Sequence, residues 1–144
     1  MNTKFNFKSQ ICTDRFQSER LLALGLKKET ADMHWFNTET FGWQHCSSET
    51  YIEAISHPFK KEWATNGVIQ PAWSLHRLIE MMPKTIGIYF QYTSNDGCGY
   101  MDEDALNMNG GFDEGNIYDS IISCIEWLIK EGYFNKEYLE NGNC

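Results

Sequence analysis

The sequence predicts an α+β fold in which a small antiparallel sheet, made of a hairpin near residues 85–102 and a strand near residues 31–36, packs against about three or four helices. The first observation is a change of hydrophobic period: residues 71–83 carry apolar side chains at helical spacing, and the run directly after them is β-branched and aromatic. Because helices usually end before a proline, the helix should stop at Pro83. The β-branched and aromatic run that follows is therefore predicted to be a strand. The second observation is a regular apolar stripe over residues 117–129, which predicts a helix packed on one side of the sheet.

Length and composition favour a single domain over residues 1–144. The chain is 42% hydrophobic, and it contains neither an internal repeat nor a low-complexity segment at which a domain boundary could fall. It has no apolar run of the length that a membrane-spanning helix needs, and residues 1–8 lack the apolar core of a secretory signal. We therefore expect a cytoplasmic protein that does not bind a membrane.

The first predicted helix covers residues 14–24, with Thr13 as its cap and Gly25 as the left-handed residue that ends it. Its expected buried positions include Phe16, Leu21 and Leu24. Residues 31–36 follow as a short strand, in which Met33 and Trp35 alternate with His34 and Phe36.

The middle of the chain, residues 37–70, has the least regular pattern. A helix is predicted from Tyr51, with an interruption at Pro58 and a continuation to Ala64. The next helix is capped by Ser74. One face of it carries Leu75, Leu78, Ile79 and Met82.

A strand over residues 86–93 follows, and the composition of residues 94–97 predicts a tight turn. The return strand is expected over residues 98–102, which would bring Tyr89 or Tyr92 near Tyr100 across the hairpin. Residues 107–112 are predicted to be a loop. In the last helix Asn116 is the cap and Gly132 marks the end.

The net charge of −8 is concentrated in the last third of the chain. Residues 1–95 hold 10 Lys and Arg against 9 Asp and Glu, whereas residues 96–144 hold 2 against 11. Such a negative field repels phosphate backbones, so direct nucleic-acid binding is not expected. It suits a basic protein partner, for which Asp102, Glu103 and Asp104 are the candidate binding residues, although a merely solvated acidic surface has the same composition.

Aromatic residues form 15% of the chain, more than a core of this size requires. A ligand-binding surface is therefore predicted from Trp35, Trp43, Arg77 and Tyr92, because aromatic faces and a guanidinium together suit a flat, anionic small molecule such as a nucleotide. The alternative is that these rings belong to the core and its rim.

No catalytic residue, metal site or cofactor is predicted. His34, His45 and Cys46 near Asp32 match no metal motif in their spacing, and the oxygen-rich stretch 102–113 does not fit a calcium-binding loop. Phosphate-binding loops, nucleophile elbows and zinc-protease motifs are absent from the sequence.

The five cysteines are scattered and odd in number, which favours reduced thiols over a disulfide framework. Cys124 is predicted to be a small core residue, since it lies in the apolar stripe of the last helix, and the terminal Cys144 to be exposed. Cys98, between two glycines, is interpreted as a turn residue rather than a nucleophile.

Four segments in the same order, residues 17–26, 31–33, 71–83 and 125–128, resemble a group of small uncharacterised proteins encoded by gut Bacteroidetes genomes and by their phages or mobile elements. The matching segments are capped helices and apolar stripes. The resemblance implies a cytoplasmic accessory protein of a mobile element, and it implies a role for no particular residue.

Three classes of function follow from these observations. The favoured one is a non-enzymatic protein-interaction module that acts through its acidic third. The second is a small-molecule binder that sequesters an anionic metabolite or signalling nucleotide, and the third is an enzyme with an unrecognised site. The oligomeric state stays open, because one apolar helix face can serve a core or a dimer.

Overall fold

The computed structural model describes residues 9–38, 42–47 and 69–140, and within these ranges the α+β prediction is confirmed. The α-helices of these ranges are α1 (Arg15–Ala23), α2 (Leu75–Met81) and α3 (Ile117–Glu131). The strands are β1 (Met33–Thr38), β2 (Gly42–Ser47), β3 (Ile69–Ala72), β4 (Thr85–Ile86), β5 (Tyr89–Thr93), β6 (Gly97–Met101) and β7 (Met108–Asp113). Short 3₁₀ turns cover Lys28–Thr30 and Lys136–Tyr138. The predicted helix from Tyr51 and the terminal Cys144 lie outside the described residues.

Within the described ranges the strands form two antiparallel sheets where one was predicted. The first sheet has the order β2-β1-β3, and the second has the order β4-β5-β6-β7. The predicted strand near residues 31–36 exists as β1, but it is not in the sheet of the hairpin. The reason is that β2 and β3 pair with the two edges of β1, which leaves no edge to which the hairpin could bond.

The cap of α1 is Asp14 instead of the predicted Thr13. The Asp14 side chain accepts a bond from the backbone N–H of Gln17, whose own side chain accepts from Asp14 N, and this reciprocal pair is a capping box. Thr13 is fully buried, and its hydroxyl is occupied by Trp73 N and by the Ser18 hydroxyl. It therefore ties α1 to the chain entering α2.

The exit from α1 follows the prediction, whereas one of its core positions does not. Gly25 adopts φ +99°, with Gly25 N bonded to Leu22 O and Leu26 N bonded to Leu21 O, the pattern of a Schellman motif. Leu21 is buried as expected. Phe16 is 81% exposed, because its side chain points away from the face that carries Leu21.

Ser74 caps α2 as predicted, with its hydroxyl oxygen accepting a bond from Arg77 N at 3.2 Å. Asp32 fixes that cap, because its carboxylate accepts bonds from both the backbone N–H and the hydroxyl of Ser74. The helix ends at Met81, two residues before Pro83.

The second sheet differs from the predicted hairpin in two places. The expected strand 86–93 is broken by a turn at Gly87, where φ is +59°, so that β4 folds back on β5. The predicted loop 107–112 is instead the strand β7, which pairs with β6 through a bulge. Two adjacent glycines lower the strand propensity of β7, and Gly110 at the bulge has φ +67°, which explains why local sequence failed to indicate a strand.

The helix α3 matches its prediction and covers one face of the second sheet. Asn116 caps it, Gly132 ends it in a left-handed conformation, and its apolar stripe packs against β6 and β7. The fully buried side chains around this contact are Tyr100, Cys98, Ile121, Cys124, Ile125 and Leu128. Full burial stabilises by roughly 1.5–3 kcal/mol for each large apolar side chain. No helix in the described ranges is both long and apolar enough to cross a membrane.

Candidate functional site

The two faces of the second sheet have different surroundings. The face that carries Cys98 and Tyr100 packs on α3. On the opposite face, Phe90 pairs with Met101 and Met101 pairs with Met108, so these three side chains form one row across β5, β6 and β7. We call this second side, with Phe90, Tyr92, Met101 and Met108, the outer face.

The outer face is apolar and accessible to solvent. The large apolar side chains exposed on it or beside it are Phe90 (52%), Met108 (56%), Ile88 (70%) and Leu106 (81%). A solvent-facing side of an antiparallel sheet is usually polar, and contiguous exposed apolar surface is typical of a binding site.

Tyr92 lies across glycines on the outer face. A methyl group added to Gly99 would approach the Tyr92 ring at 3.1 Å, and one added to Gly111 would approach its hydroxyl at 3.3 Å and the end of Met108 at 2.6 Å. The glycines thus leave room for the Tyr92 side chain to pass over Gly99 of β6 and to bring its hydroxyl near Gly111 of β7. Burial raises the pKa of Tyr92, so its hydroxyl is neutral at physiological pH.

Residues 102–107, here called the acidic loop, join β6 to β7 at one end of the outer face. Asp102 organises this loop, because its carboxylate accepts bonds from Leu106 N, Asn107 N and the Asn107 side chain at 3.0, 3.3 and 2.7 Å. The bond from the Asn107 side chain lowers the pKa of Asp102. These bonds hold Ala105 at φ 57°, a left-handed conformation that costs a residue with a side chain roughly 1 kcal/mol.

Glu103 and Asp104 differ from Asp102 in their surroundings. Both are exposed, and within the described part of the chain neither forms an ion pair. Of the three carboxylates predicted to bind a partner, these two are therefore free to do so, whereas Asp102 shapes the loop that presents them.

The predicted ligand-binding residues do not converge on one place. Trp35 and Trp43 share a face of the first sheet, Arg77 lies on α2, and Tyr92 is on the outer face of the second sheet. The cation over Trp43 is Arg15, with its guanidinium carbon 3.6 Å from the ring centroid. Arg15 stands just after the cap of α1, a tertiary relation that no local pattern indicates.

Trp35 and His45 border a cleft of about 220 Å³ on the first sheet. Their rings meet edge to face at 5.0 Å, and the Trp35 indole N–H donates to Thr13 O at 2.8 Å. Asp14 and Cys12 also line this cleft. Burial raises the pKa of Cys12 to about 11, so its thiol is protonated at neutral pH and is not an activated nucleophile.

The possible metal ligands of the first sheet are divided between its faces. His34 pairs with Cys46, whereas His45 pairs with Trp35 on the opposite side, and Asp32 is bound to Ser74. In the described ranges no three His, Cys, Asp or Glu side chains are placed to hold a metal ion together.

Cys98 is not the turn residue that the sequence suggested. It lies in β6, fully buried, and faces Cys124 of α3. The neighbouring Cys98 thiol and burial both raise the pKa of Cys124, so its thiol is protonated at neutral pH. The prediction that Cys124 is a core residue is confirmed.

The sequence reasoning missed the apolar residues of the outer face, because their pattern is that of a set facing the core. From residue 86 to residue 92 one alternating set is apolar or aromatic throughout, whereas the other contains Gly87 and Gln91. The turn at Gly87 breaks this run, and Phe90 and Tyr92 lie on the side of the sheet opposite to α3. Comparison with protein-family models, curated proteins and solved structures finds no match for the chain.

Proposed function

We propose that this protein is a non-enzymatic protein-interaction module whose binding surface is the outer face of the second sheet together with the acidic loop. The observation that carries the proposal is the exposed row of Phe90 and Met108, joined through Met101 and bordered by Glu103 and Asp104. The resemblance to phage and mobile-element proteins of gut Bacteroidetes supports the further proposal of a cytoplasmic accessory role.

The energetic argument rests on the exposed apolar area. Burying apolar surface stabilises a complex by roughly 25 cal/mol for each Å² removed from water. Phe90 and Met108 each leave about half of their surface in solvent, and Ile88 and Leu106 leave more. A partner that covers Phe90 and Met108 gains from both at once, since they lie on the same face of one sheet, and Ile88 and Leu106 lie in the connections next to the strands that carry them.

The cleft beside Trp35 supports the small-molecule alternative less well. An anionic ligand there would meet the carboxylate of Asp14, and Arg77 does not line the cleft. The charge of the cleft therefore opposes the nucleotide-like ligand that the composition suggested.

Site-specific photocrosslinking tests the proposal. A benzophenone amino acid replaces Phe90 in one variant and Phe16 in a matched control, because both are exposed phenylalanines and they lie on different elements. Each variant is produced in a gut Bacteroidetes host and irradiated, and the adducts are identified by mass spectrometry.

The proposal expects a discrete protein adduct from position 90 that is absent from position 16. The same set of adducts from both positions would show only general stickiness. No adduct from position 90, with the variant folded and abundant, would contradict an interaction role for the outer face.

A further inference from the structure

We infer that the outer face binds a basic amphipathic helix of a partner protein, with apolar side chains on the Phe90–Met101–Met108 row and Lys or Arg side chains over the acidic loop. This inference rests on the proposed function and adds the chemistry of the partner.

The charge of the second sheet determines which sign of charge a partner must carry. From Thr85 to Asn116 the chain contains no Lys, Arg or His, and it contains the carboxylates Asp96, Asp102, Glu103, Asp104, Asp113 and Glu114. Every side chain of this segment that is charged at neutral pH is therefore negative. Complementary charges speed association and exclude partners of the wrong sign, so the binding segment is basic.

The same charge argues against other occupants of the outer face. A second copy of this protein, placed face to face, would bring two sets of the same carboxylates together without a cation from either segment. Anionic lipid surfaces and nucleic-acid backbones are disfavoured for the same reason.

The shape of the surface favours a helix. The apolar row runs across three strands and so spans about 10 Å, the length of two helical turns. The opposite face of the same sheet already accommodates a helix, since the stripe of α3 that contains Ile121 and Ile125 packs against β6 and β7. A partner helix on the outer face would complete a three-layer arrangement with the sheet in the middle.

The test measures binding of a defined peptide by fluorescence anisotropy. The probe is a labelled helical peptide of about 18 residues, long enough to form a helix, with Leu on one face and Lys on the other. Two peptides serve as comparisons: one carries Glu in place of Lys, and the other has the Leu and Lys residues in scrambled order.

Two pairs of protein variants locate the binding. A double variant with Glu103→Lys and Asp104→Lys reverses the exposed charges of the acidic loop. Its control is a double variant with Glu126→Lys and Glu131→Lys, which makes the same charge change on the exposed side of α3. Phe90→Ser with Met108→Ser removes apolar area from the outer face, and Phe16→Ser is its control on α1. Asp102 is left intact because the loop depends on it. Circular dichroism and urea midpoints establish that each variant is folded.

The inference expects the Leu/Lys helix to bind and both comparison peptides to bind at least about tenfold more weakly. The acidic-loop variant and the outer-face variant should each weaken binding by about tenfold or more, and the affinity of each control should stay within about twofold of that of the unmodified protein. Binding should also weaken as ionic strength rises.

Equal binding of the Leu/Glu helix, or equal weakening by the control variants, would overturn the basic-helix inference, as would no binding of the Leu/Lys helix. If photocrosslinking at Phe90 still captures a specific protein in that case, the proposed interaction function stands and only the partner chemistry is wrong. If photocrosslinking fails as well, both are wrong.

Discussion

Replacing Thr13 by Val should destabilise the protein strongly, although the two side chains have nearly the same shape. The Thr13 hydroxyl accepts a bond from Trp73 N at 3.0 Å and lies 2.8 Å from the Ser18 hydroxyl, and all three residues are fully buried. Valine fills the same space but offers no hydrogen-bonding group.

The expected magnitude follows from the two bonds. A buried N–H left without an acceptor, here that of Trp73, costs about 1–3 kcal/mol, and loss of the hydroxyl–hydroxyl bond adds about 1 kcal/mol. We therefore expect the free energy of unfolding to fall by about 2–4 kcal/mol in Thr13→Val. Ser18→Ala keeps the Trp73 bond, so it should cost only about 1 kcal/mol.

Equilibrium urea unfolding of the two single variants and of the double variant measures these values. The double variant should be less destabilised than the sum of the single variants by about 1 kcal/mol, because both changes remove the same bond. A free energy of unfolding for Thr13→Val within about 0.5 kcal/mol of that of the unmodified protein would refute the reasoning, since a change of that size is typical of a substitution on the protein surface.

Three further predictions concern a glycine, a thiol and a carboxylate. Gly99→Ala should lower the free energy of unfolding in urea by about 1–3 kcal/mol, because its methyl would lie 2.7 Å from the backbone of Gly111. Gly111→Ala should lower it less, because its methyl would meet the flexible end of the Met108 side chain, and equal losses from the two variants would contradict this. Cys12, whose pKa burial raises to about 11, should resist alkylation at pH values near neutrality until the protein unfolds, and fast labelling of the native protein in peptide mapping would contradict its burial. Hydrogen bonding from Asn107 lowers the pKa of Asp102, so the order of the acidic loop should be present above the ordinary pKa of an aspartate and be lost as pH falls through the lower, folded value. Amide shifts of the loop in NMR spectra measure this: a midpoint at or above the ordinary aspartate pKa, or an unchanged transition in Asp102→Asn, would be the contrary result.

The elements defined by local chemistry could be predicted from the sequence. Ser74 and Asn116 cap their helices through side-chain oxygens that accept backbone N–H groups within three residues, and Gly25 and Gly132 end helices through their own backbone angles. All these interactions lie within a few residues of each other, so the local pattern contains the information.

The features that depend on distant partners could not be predicted in the same way. Threonine is a residue type that often caps helices, but the hydroxyl of Thr13 accepts a hydrogen bond from the backbone N–H of Trp73, sixty residues later. The strand β7 owes its existence to pairing with β6, and its two glycines give no local preference for a strand. The division into two sheets likewise depends on which strands meet β1.

The candidate site was predictable in its charge and not in its apolar part. The acidic loop follows directly from composition, since the carboxylates are adjacent in the chain. The row of Phe90, Met101 and Met108 needs the register of three strands, which only the folded structure provides.

The most direct test of the central claim is an NMR titration of the isotopically labelled protein with the Leu/Lys helix. The account predicts that the amide shifts change most in residues 88–92 and 99–108, which form the outer face and the acidic loop, while the first sheet is unaffected. Changes centred on the first sheet or on the exposed side of α3, or no changes at all, would contradict it.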